Sequence, residues 1–369
     1  MKKLKVLQIP YGGLGNGGVA SVILSIVKML HPYFDFTCIV FDRLEASETI
    51  CQRYSTLHRV KFCYVNANTV YRWISIVLRP FIFYWSIYNL CKKEHFHVIH
   101  CHNGYDQWPC LLAAKHAGVK IRIAHSHNTK APVKLSFFKR LYRYYAGKLI
   151  NRYATLRVGC SRQACLDFFG DVPARVVYNA VDLTKFDIKK HTSFQNKRFI
   201  HVGRFCYQKN QLFLLEVFDR VREKLPDVSL TLVGVGTKEE EIKIKQTIQA
   251  YHLENSVQMI DGSKADIPSL YAQADYMIFP SNYEGFGIVL IEAQAMGIHC
   301  FVSQAVQPEA DVGLMTFLNL ADGPAKWADV VADYIKQHNQ FEIPNRKELE
   351  KFELQAVAMQ YQKIYEGNN

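Results

Sequence analysis

Short apolar runs rich in β-branched residues alternate along the chain with longer segments in which apolar positions recur every three or four residues. The short runs fit strands buried on both faces, and the longer ones fit helices that cover them. Their alternation predicts repeated βα units around parallel sheets. In the first half the predicted strands are Leu4–Ile9, Phe36–Phe41, Val60–Val65, Val98–Cys101, Lys120–Ala124, Arg157–Cys160 and Arg175–Tyr178. The stretch Asp182–Asn196 is polar and aperiodic, and a second series then runs Arg198–Val202, Ser229–Val233, Val257–Ile260, Tyr276–Phe279 and Cys300–Ser303. This places two doubly wound α/β domains at residues 1–190 and 191–369, the second closing on a terminal helix over Arg346–Tyr365. Sheets of this kind bind ligands at the carboxyl ends of their strands, so two such domains facing each other predict a ligand cleft.

Length agrees with that division, since 369 residues at ~100–200 per domain suggest two domains. With 49% hydrophobic and 21% charged residues, wholesale disorder is excluded. Charge changes the picture more. Residues 1–190 carry 28 Lys and Arg against 10 Asp and Glu, net +18, whereas residues 191–369 carry 17 against 23, net −6. A cationic first half points to an anionic surface as partner. Ten cysteines without a C-x-x-C pair read as reduced thiols and a cytosolic compartment. The apolar run after Met1-Lys2-Lys3 is too short for a signal peptide and reads as the first strand.

Chemistry concentrates at strand ends. After the first strand comes Gly12-Gly13-Leu14-Gly15-Asn16-Gly17-Gly18 and then the helical run Val19–Leu30. Glycines there let backbone N–H groups approach a phosphate at a helix N-terminus, although a tight turn without ligand has the same composition. In the second half, Phe279 and Pro280 lead into Glu284-Gly285-Phe286-Gly287-Ile288, and Glu292 follows on the next helix. A loop carboxylate can accept hydrogen bonds from sugar hydroxyls, and a second carboxylate a turn into the helix can hold a ribose diol. Upstream, Gly203, Arg204 and Lys209 share one loop after a strand, where the two cations suit a diphosphate. His125 lies at the end of Lys120–Ala124, placed to orient a hydroxyl or relay its proton. His95, His97, His100 and His102 with Cys101 have metal-ligand chemistry, but alternation along a strand sends neighbours to opposite faces, and a structural strand end is the preferred reading.

Taken together, Gly17-Gly18, Ala124–Asn128, Gly159-Cys160-Ser161, Val177–Asp182, Gly203-Arg204 with Lys209-Asn210, Leu232–Gly236 and the Glu284-x7-Glu292 spacing resemble the retaining glycosyltransferases of family 4. The resemblance covers nearly the whole chain and looks most like the bacterial subset that builds capsule, exopolysaccharide and O-antigen. It implies the GT-B fold, two Rossmann-like doubly wound parallel-sheet domains facing across a cleft, with an acceptor-binding N-terminal domain and a donor-binding C-terminal one. The implied activity is a hexosyltransferase, EC 2.4, moving a sugar from a nucleotide sugar, with UDP preferred, to a lipid-linked saccharide.

By the same resemblance, Arg204 and Lys209 neutralise the donor diphosphate, Glu284 holds donor-sugar hydroxyls, and Phe286, Gly287 and Ile288 supply backbone contacts. Glu292 binds the ribose, Gly17 and Gly18 close over the diphosphate, and His125 lies near the acceptor and reacting sugar. No D-x-D occurs, so metal independence and no cofactor are expected. The turn at Gln304–Asp311 lacks the glycines many relatives carry there and adds no site residue.

A nucleotide-sugar epimerase of the same fold is the nearer alternative. A nicotinamide oxidoreductase is the further one, drawn from Gly13-x-Gly15-x-x-Gly18 followed by Asp42, and a lectin-like binder is a third. The apolar run Trp73–Cys91 holds Arg79 and Pro80 near its centre, which argues against spanning a bilayer. Lys130–Lys148 mixes Phe, Leu and Tyr with Lys and Arg at helical spacing, which fits an anionic leaflet or a solvated basic face. The placement that follows is cytoplasmic, peripheral on the inner face of the membrane, with no nucleic acid partner.

Overall fold

The computed structural model of the protein describes residues 3–10, 14, 18–40, 51–60, 69–102, 104–131, 135–191, 197–338 and 342–368, with backbone alone for 69–77. The chain forms two compact units, residues 1–180 with 354–369, and residues 181–353.

The first unit holds strands β1 (Leu4–Ile9), β2 (Phe34–Val40), β3 (Thr56–Arg59), β4 (Val98–Cys101), β5 (Ile121–Ser126), β6 (Leu156–Gly159) and β7 (Arg175–Val176). They pair in the order β3-β2-β1-β4-β5-β6-β7, and every pairing is parallel. Parallel strands need crossovers and are covered on both faces, which is why β4 is buried along its whole length. Leu7, Ile9, Ile99 and Cys101 pack with Ile87, Cys110 and Leu111 in the core of this unit. The strand order reverses between β1 and β4, the topological switch at which such sheets open a crevice.

The second unit repeats the design with β8 (Arg198–Val202), β9 (Ser229–Gly234), β10 (Val257–Asp261), β11 (Tyr276–Phe279), β12 (His299–Ser303) and β13 (Met315–Leu318). Their order is β10-β9-β8-β11-β12-β13, again parallel throughout, with the switch between β8 and β11. Both units are therefore doubly wound, Rossmann-like parallel sheets.

Several elements differ from their sequence-based bounds. Strand β3 lies at Thr56–Arg59, and the predicted strand Val60–Val65 falls, beyond Val60, outside the described residues. Strand β13 (Met-Thr-Phe-Leu), which is not among the predicted strands, is half-buried at every position. The terminal helix is two helices, Arg346–Glu350 and Leu354–Glu366. The second of them does not close the second domain as expected, because it belongs to the first unit and packs against helix Gly18–Leu30. Its stripe Val357, Ala358, Tyr361, Ile364 and Tyr365 recurs at helical spacing and is buried there. The unit boundary accordingly falls at Ala180/Val181 rather than at 190/191.

The apolar run Trp73–Cys91 lies in helix Thr69–Glu94, which carries Pro80 in its interior. Phe83, Ile87, Leu90 and Cys91 face the core, whereas Phe81 and Trp85 are exposed. Among the described residues no helix is long and apolar enough to cross a membrane.

Candidate active site

Two loops meet at the carboxyl ends of β8 and β11. Asn282 N–H donates to the Gln208 carbonyl (2.8 Å), Asn282 Nδ2 to the Tyr207 carbonyl (2.6 Å) and Gln208 Nε2 to the Tyr283 carbonyl (3.1 Å), so residues 203–210 and 280–287 are laced together. Gln211 sets the first loop by donating from Nε2 to the Arg204 carbonyl (2.8 Å) and accepting at Oε1 from Cys206 N–H (3.2 Å). Close backbone approach requires glycine at Gly234, where a Cβ would stand 2.0 Å from the Gly203 carbonyl oxygen.

Within this frame Lys209 forms an ion pair with Glu284, both side chains nearly buried, at 14% and 9% exposure. Phe279, the last residue of β11, lies beneath the Lys209 ammonium at 4.5 Å from its ring centroid. Gly203 leaves room for the lysine stem, since a Cβ there would stand 3.3 Å from Lys209 Cγ. Glu284 also accepts from Gly285 N–H at 3.2 Å, and Gln307 Nε2 donates to the Glu284 carbonyl at 3.1 Å. Gln307 is buried, so the Gln304–Asp311 turn, which offered no site residue in sequence, holds the Glu284 backbone in place. Arg204 is exposed at the rim.

Gly287 takes φ 87°, a left-handed conformation that favours glycine, and opens helix Ile288–Ala295. Phe286 is buried against Phe352, and Ile288 is half-buried on the first turn. Glu292 lies on the same helix, and burial pushes its carboxyl up to about 7, opposed by the charge of Lys185. His201, at the end of β8, is held neutral down to about 4 by burial, with its Nδ1 3.0 Å from the Ile278 carbonyl. The second unit thus gathers Gly203, Arg204, Lys209, Glu284, Phe286, Gly287, Ile288 and Glu292 on the loops and helix that follow β8 and β11, at its switch point.

The first unit has its own polar centre beside its switch point. His100 and His102 are two apart and share a face, as do His125 and His127 next to them. The ring centroids of His125 and His127 are 3.9 Å apart, those of His100 and His102 4.1 Å. His100 bonds His125 (3.1 Å) and Tyr365 (2.8 Å), while His102 bonds His127 (2.7 Å) and Gln8 (2.9 Å). Burial holds all of these histidines far below their usual range, His127 at about 3, and neighbouring rings add to the effect at His100, His102 and His125. Gln107 clamps the His125 backbone on both sides, at 3.0 and 3.1 Å.

Alternation along β4 speaks only of chain neighbours, whereas the partners of His100 and His102 are His125 on β5 and His127 just beyond it. His100, His102 and His125 bring ligating atoms within 4.8 Å of one another, the one such group among the described residues. Both ring nitrogens of His100 and of His102 are already engaged in the hydrogen bonds above, so a metal ion would have to break them. Of the glycine loop, Gly17 lies outside the described residues, as does Asp42. Gly18 is the exposed first residue of helix Gly18–Leu30, with nothing within 4 Å of where a Cβ would stand.

Comparison with known proteins extends this geometry. Residues 184–337 match the family model described as glycosyl transferases group 1, and residues 16–185 match that of glycosyltransferase family 4. The chain is 30% identical over 271 residues to a putative glycosyltransferase, EpsF, of Bacillus subtilis, covering 69% of this chain and 70% of that protein. It is 28% identical over 239 residues to the Escherichia coli UDP-Gal:alpha-D-GlcNAc-diphosphoundecaprenol alpha-1,3-galactosyltransferase, covering 59% and 60% of the two chains. Among solved structures, Anabaena HepE in complex with UDP and glucose superposes with a TM-score of 0.77 at 18% identity, covering 99% of this chain and 100% of that one.

Proposed function

The chain belongs to the family 4, group 1 glycosyltransferases and is a transferase, and on that premise we propose that it moves a hexose-type sugar, with retention, from a UDP-sugar to a lipid-linked saccharide in bacterial surface polysaccharide assembly. The observation that carries this reading is the Lys209–Glu284 pair at the switch point of the second sheet. A diphosphate arriving there competes for the Lys209 ammonium and releases the Glu284 carboxylate to accept hydrogen bonds from sugar hydroxyls. Arg204, exposed on the same loop, adds a forked donor for the phosphates. The backbone of Phe286, Gly287 and Ile288 and the N-terminus of helix Ile288–Ala295 face the same negative charge. Glu292 takes the ribose diol.

As the glycosidic bond breaks, charge grows on the leaving diphosphate, and these fixed cations and N–H groups stabilise it without a metal ion. The leaving phosphate oxygen takes the acceptor's proton, so retention needs no nucleophile from the protein. His125 stands on the acceptor side. A polysaccharide role is supported by the kinship with EpsF, and a lipid-linked acceptor by the diphosphoundecaprenol in the name of the E. coli relative.

The first unit also carries the surface for such an acceptor. It holds 26 Lys and Arg against 9 Asp and Glu, net +17. On helix Phe137–Tyr153, Phe137 and Phe138 are 69% and 79% exposed among Lys139, Arg140 and Arg143. Asp106 ties this helix to Thr69–Glu94, accepting from Tyr142 Oη (2.7 Å) and pairing with Arg79 (3.6 Å). Cations beside exposed aromatic rings fit the headgroup layer of an anionic leaflet, which supports a peripheral location on the inner face of the membrane.

The test of the activity is release of free nucleotide from a panel of nucleotide sugars, with and without a polyprenyl-diphosphate saccharide. UDP release that depends on the acceptor is expected. Turnover of the sugar without any acceptor would favour the epimerase reading instead.

A further inference from the structure

The histidine centre of the first unit obeys a strict hydrogen-bond accounting. Gln8 Nε2 donates to Tyr365 Oη at 2.9 Å, which leaves the phenol proton to go to His100 Nδ1 at 2.8 Å. Burial holds the Tyr365 phenol far above its usual range, so that proton stays in place. With Nδ1 accepting, neutral His100 carries its hydrogen on Nε2 and donates it to His125 Nδ1 at 3.1 Å. His125 must then carry its own hydrogen on Nε2, a buried atom with no partner among the described residues. The other oxygen-to-ring branch runs in the same sense. Gln8 Oε1 accepts from His102 Nε2 at 2.9 Å, so His102 Nδ1 accepts from His127 Nε2 at 2.7 Å. That leaves a lone pair on His127 Nδ1, likewise buried and without a partner among the described residues.

We propose that Gln8, His100, His102 and Tyr365 are positioning residues whose closed network holds His125 and His127 as a neutral donor–acceptor pair for a substrate hydroxyl, His125 Nε2 offering its hydrogen and His127 Nδ1 its lone pair. A sugar hydroxyl donates one hydrogen and accepts another, so it is the complement of this pair. The role given to His125 changes accordingly: it donates a hydrogen bond to a sugar oxygen and does not take a proton from one. The network also gives the chain's return to the first unit a purpose, because Tyr365, on the last helix, sets the tautomer of a residue 240 positions earlier. This proposal rests on the reading of His125 as a substrate-facing residue.

Nitrogen-15 spectra of the full chain labelled at histidine test it directly, because protonated and unprotonated ring nitrogens resonate far apart. At pH 7 His100, His102, His125 and His127 are all expected to carry hydrogen on Nε2. Mixed tautomers between the two branches, or hydrogen on Nδ1 in all four, would overturn the assignment. Gln8→Glu offers two acceptors, so it should reverse His100 and His125 alone, and turnover should fall at least about tenfold as the donor is lost. Tyr365→Phe is the gentler variant, expected to leave His125 as a mixture of tautomers while His102 and His127 keep theirs. Unchanged His125 signals in either variant refute the coupling. His125→Ala separates the two claims: wild-type turnover there overturns the substrate-facing reading even if the tautomer pattern holds.

Discussion

Replacing Lys209 with Met, or Glu284 with Gln, breaks an ion pair whose members are only 14% and 9% exposed. Each single change strands the other group beside apolar neighbours such as Phe279. Breaking a buried pair costs about 3–5 kcal/mol, and the residual exposure of both side chains argues for the lower end, about 3 kcal/mol. For a unit the size of residues 181–353, at roughly 2–4 °C per kcal/mol, the midpoint of thermal unfolding should fall by about 6–12 °C in either single variant. The double variant replaces two buried charges by neutral groups of similar shape. It should lose no more than about 2 kcal/mol, so the cycle shows a coupling of several kcal/mol. Turnover behaves differently, because both groups face the donor in the proposed mechanism. All three variants should lose at least about tenfold in kcat. Calorimetry and nucleotide-release kinetics on the same preparations measure both. Single variants that melt within about 1 °C of the wild type, or a double variant equal to the sum of the singles, would refute the pair. Wild-type turnover in any of the three would refute its place in the site.

Three further outcomes are expected. The Glu292 carboxyl, raised to about 7 in the folded protein, binds a proton there more tightly than in the unfolded chain, so it contributes stability that is fully present below about 4.5 and lost as pH rises through about 7. Ribose hydroxyls favour the ionised carboxylate, so calorimetric UDP affinity should rise about tenfold between pH 6 and 8 and become flat in Glu292→Gln. Activity should survive saturating EDTA, and complete loss restored by manganese or magnesium would overturn the metal-free mechanism. Co-sedimentation with anionic vesicles should exceed that with zwitterionic ones and weaken with salt over a Debye length of ~10 Å at 0.1 M. Changing Lys139, Arg140, Arg143 and Lys148 to Ser should remove the difference, and equal binding by both proteins would leave helix Phe137–Tyr153 as a solvated face.

Local pattern and local chemistry are what the sequence determined by itself. Leu4–Ile9, Val98–Cys101, Arg198–Val202 and Tyr276–Phe279 stand in the structure with their predicted bounds, because a strand covered on both faces must be apolar at successive positions. Arg204, Lys209 and Glu284 stand out as candidates because each lies in a short segment between a strand end and a helix start, where glycines and charge mark a ligand loop, and Glu292 because it follows on the helix that the last of these loops opens. What only tertiary structure decided are the partnerships between segments. Nothing near Lys209 in the chain announces Glu284, 75 residues on, and nothing near Glu284 announces the buried amide of Gln307. The helix Leu354–Glu366 has an apolar stripe that fits either unit, and the chain must fold before it can pack on the first. His100 and His102 look like strand-end residues until β5 is laid beside β4, since the register that sets their rings against His125 arises only when the crossover between the two strands has packed. Only then do Gln8, Tyr365 and the His125–His127 segment converge, from three separate stretches of chain, on a centre where hydrogen bonds fix which nitrogen carries the proton.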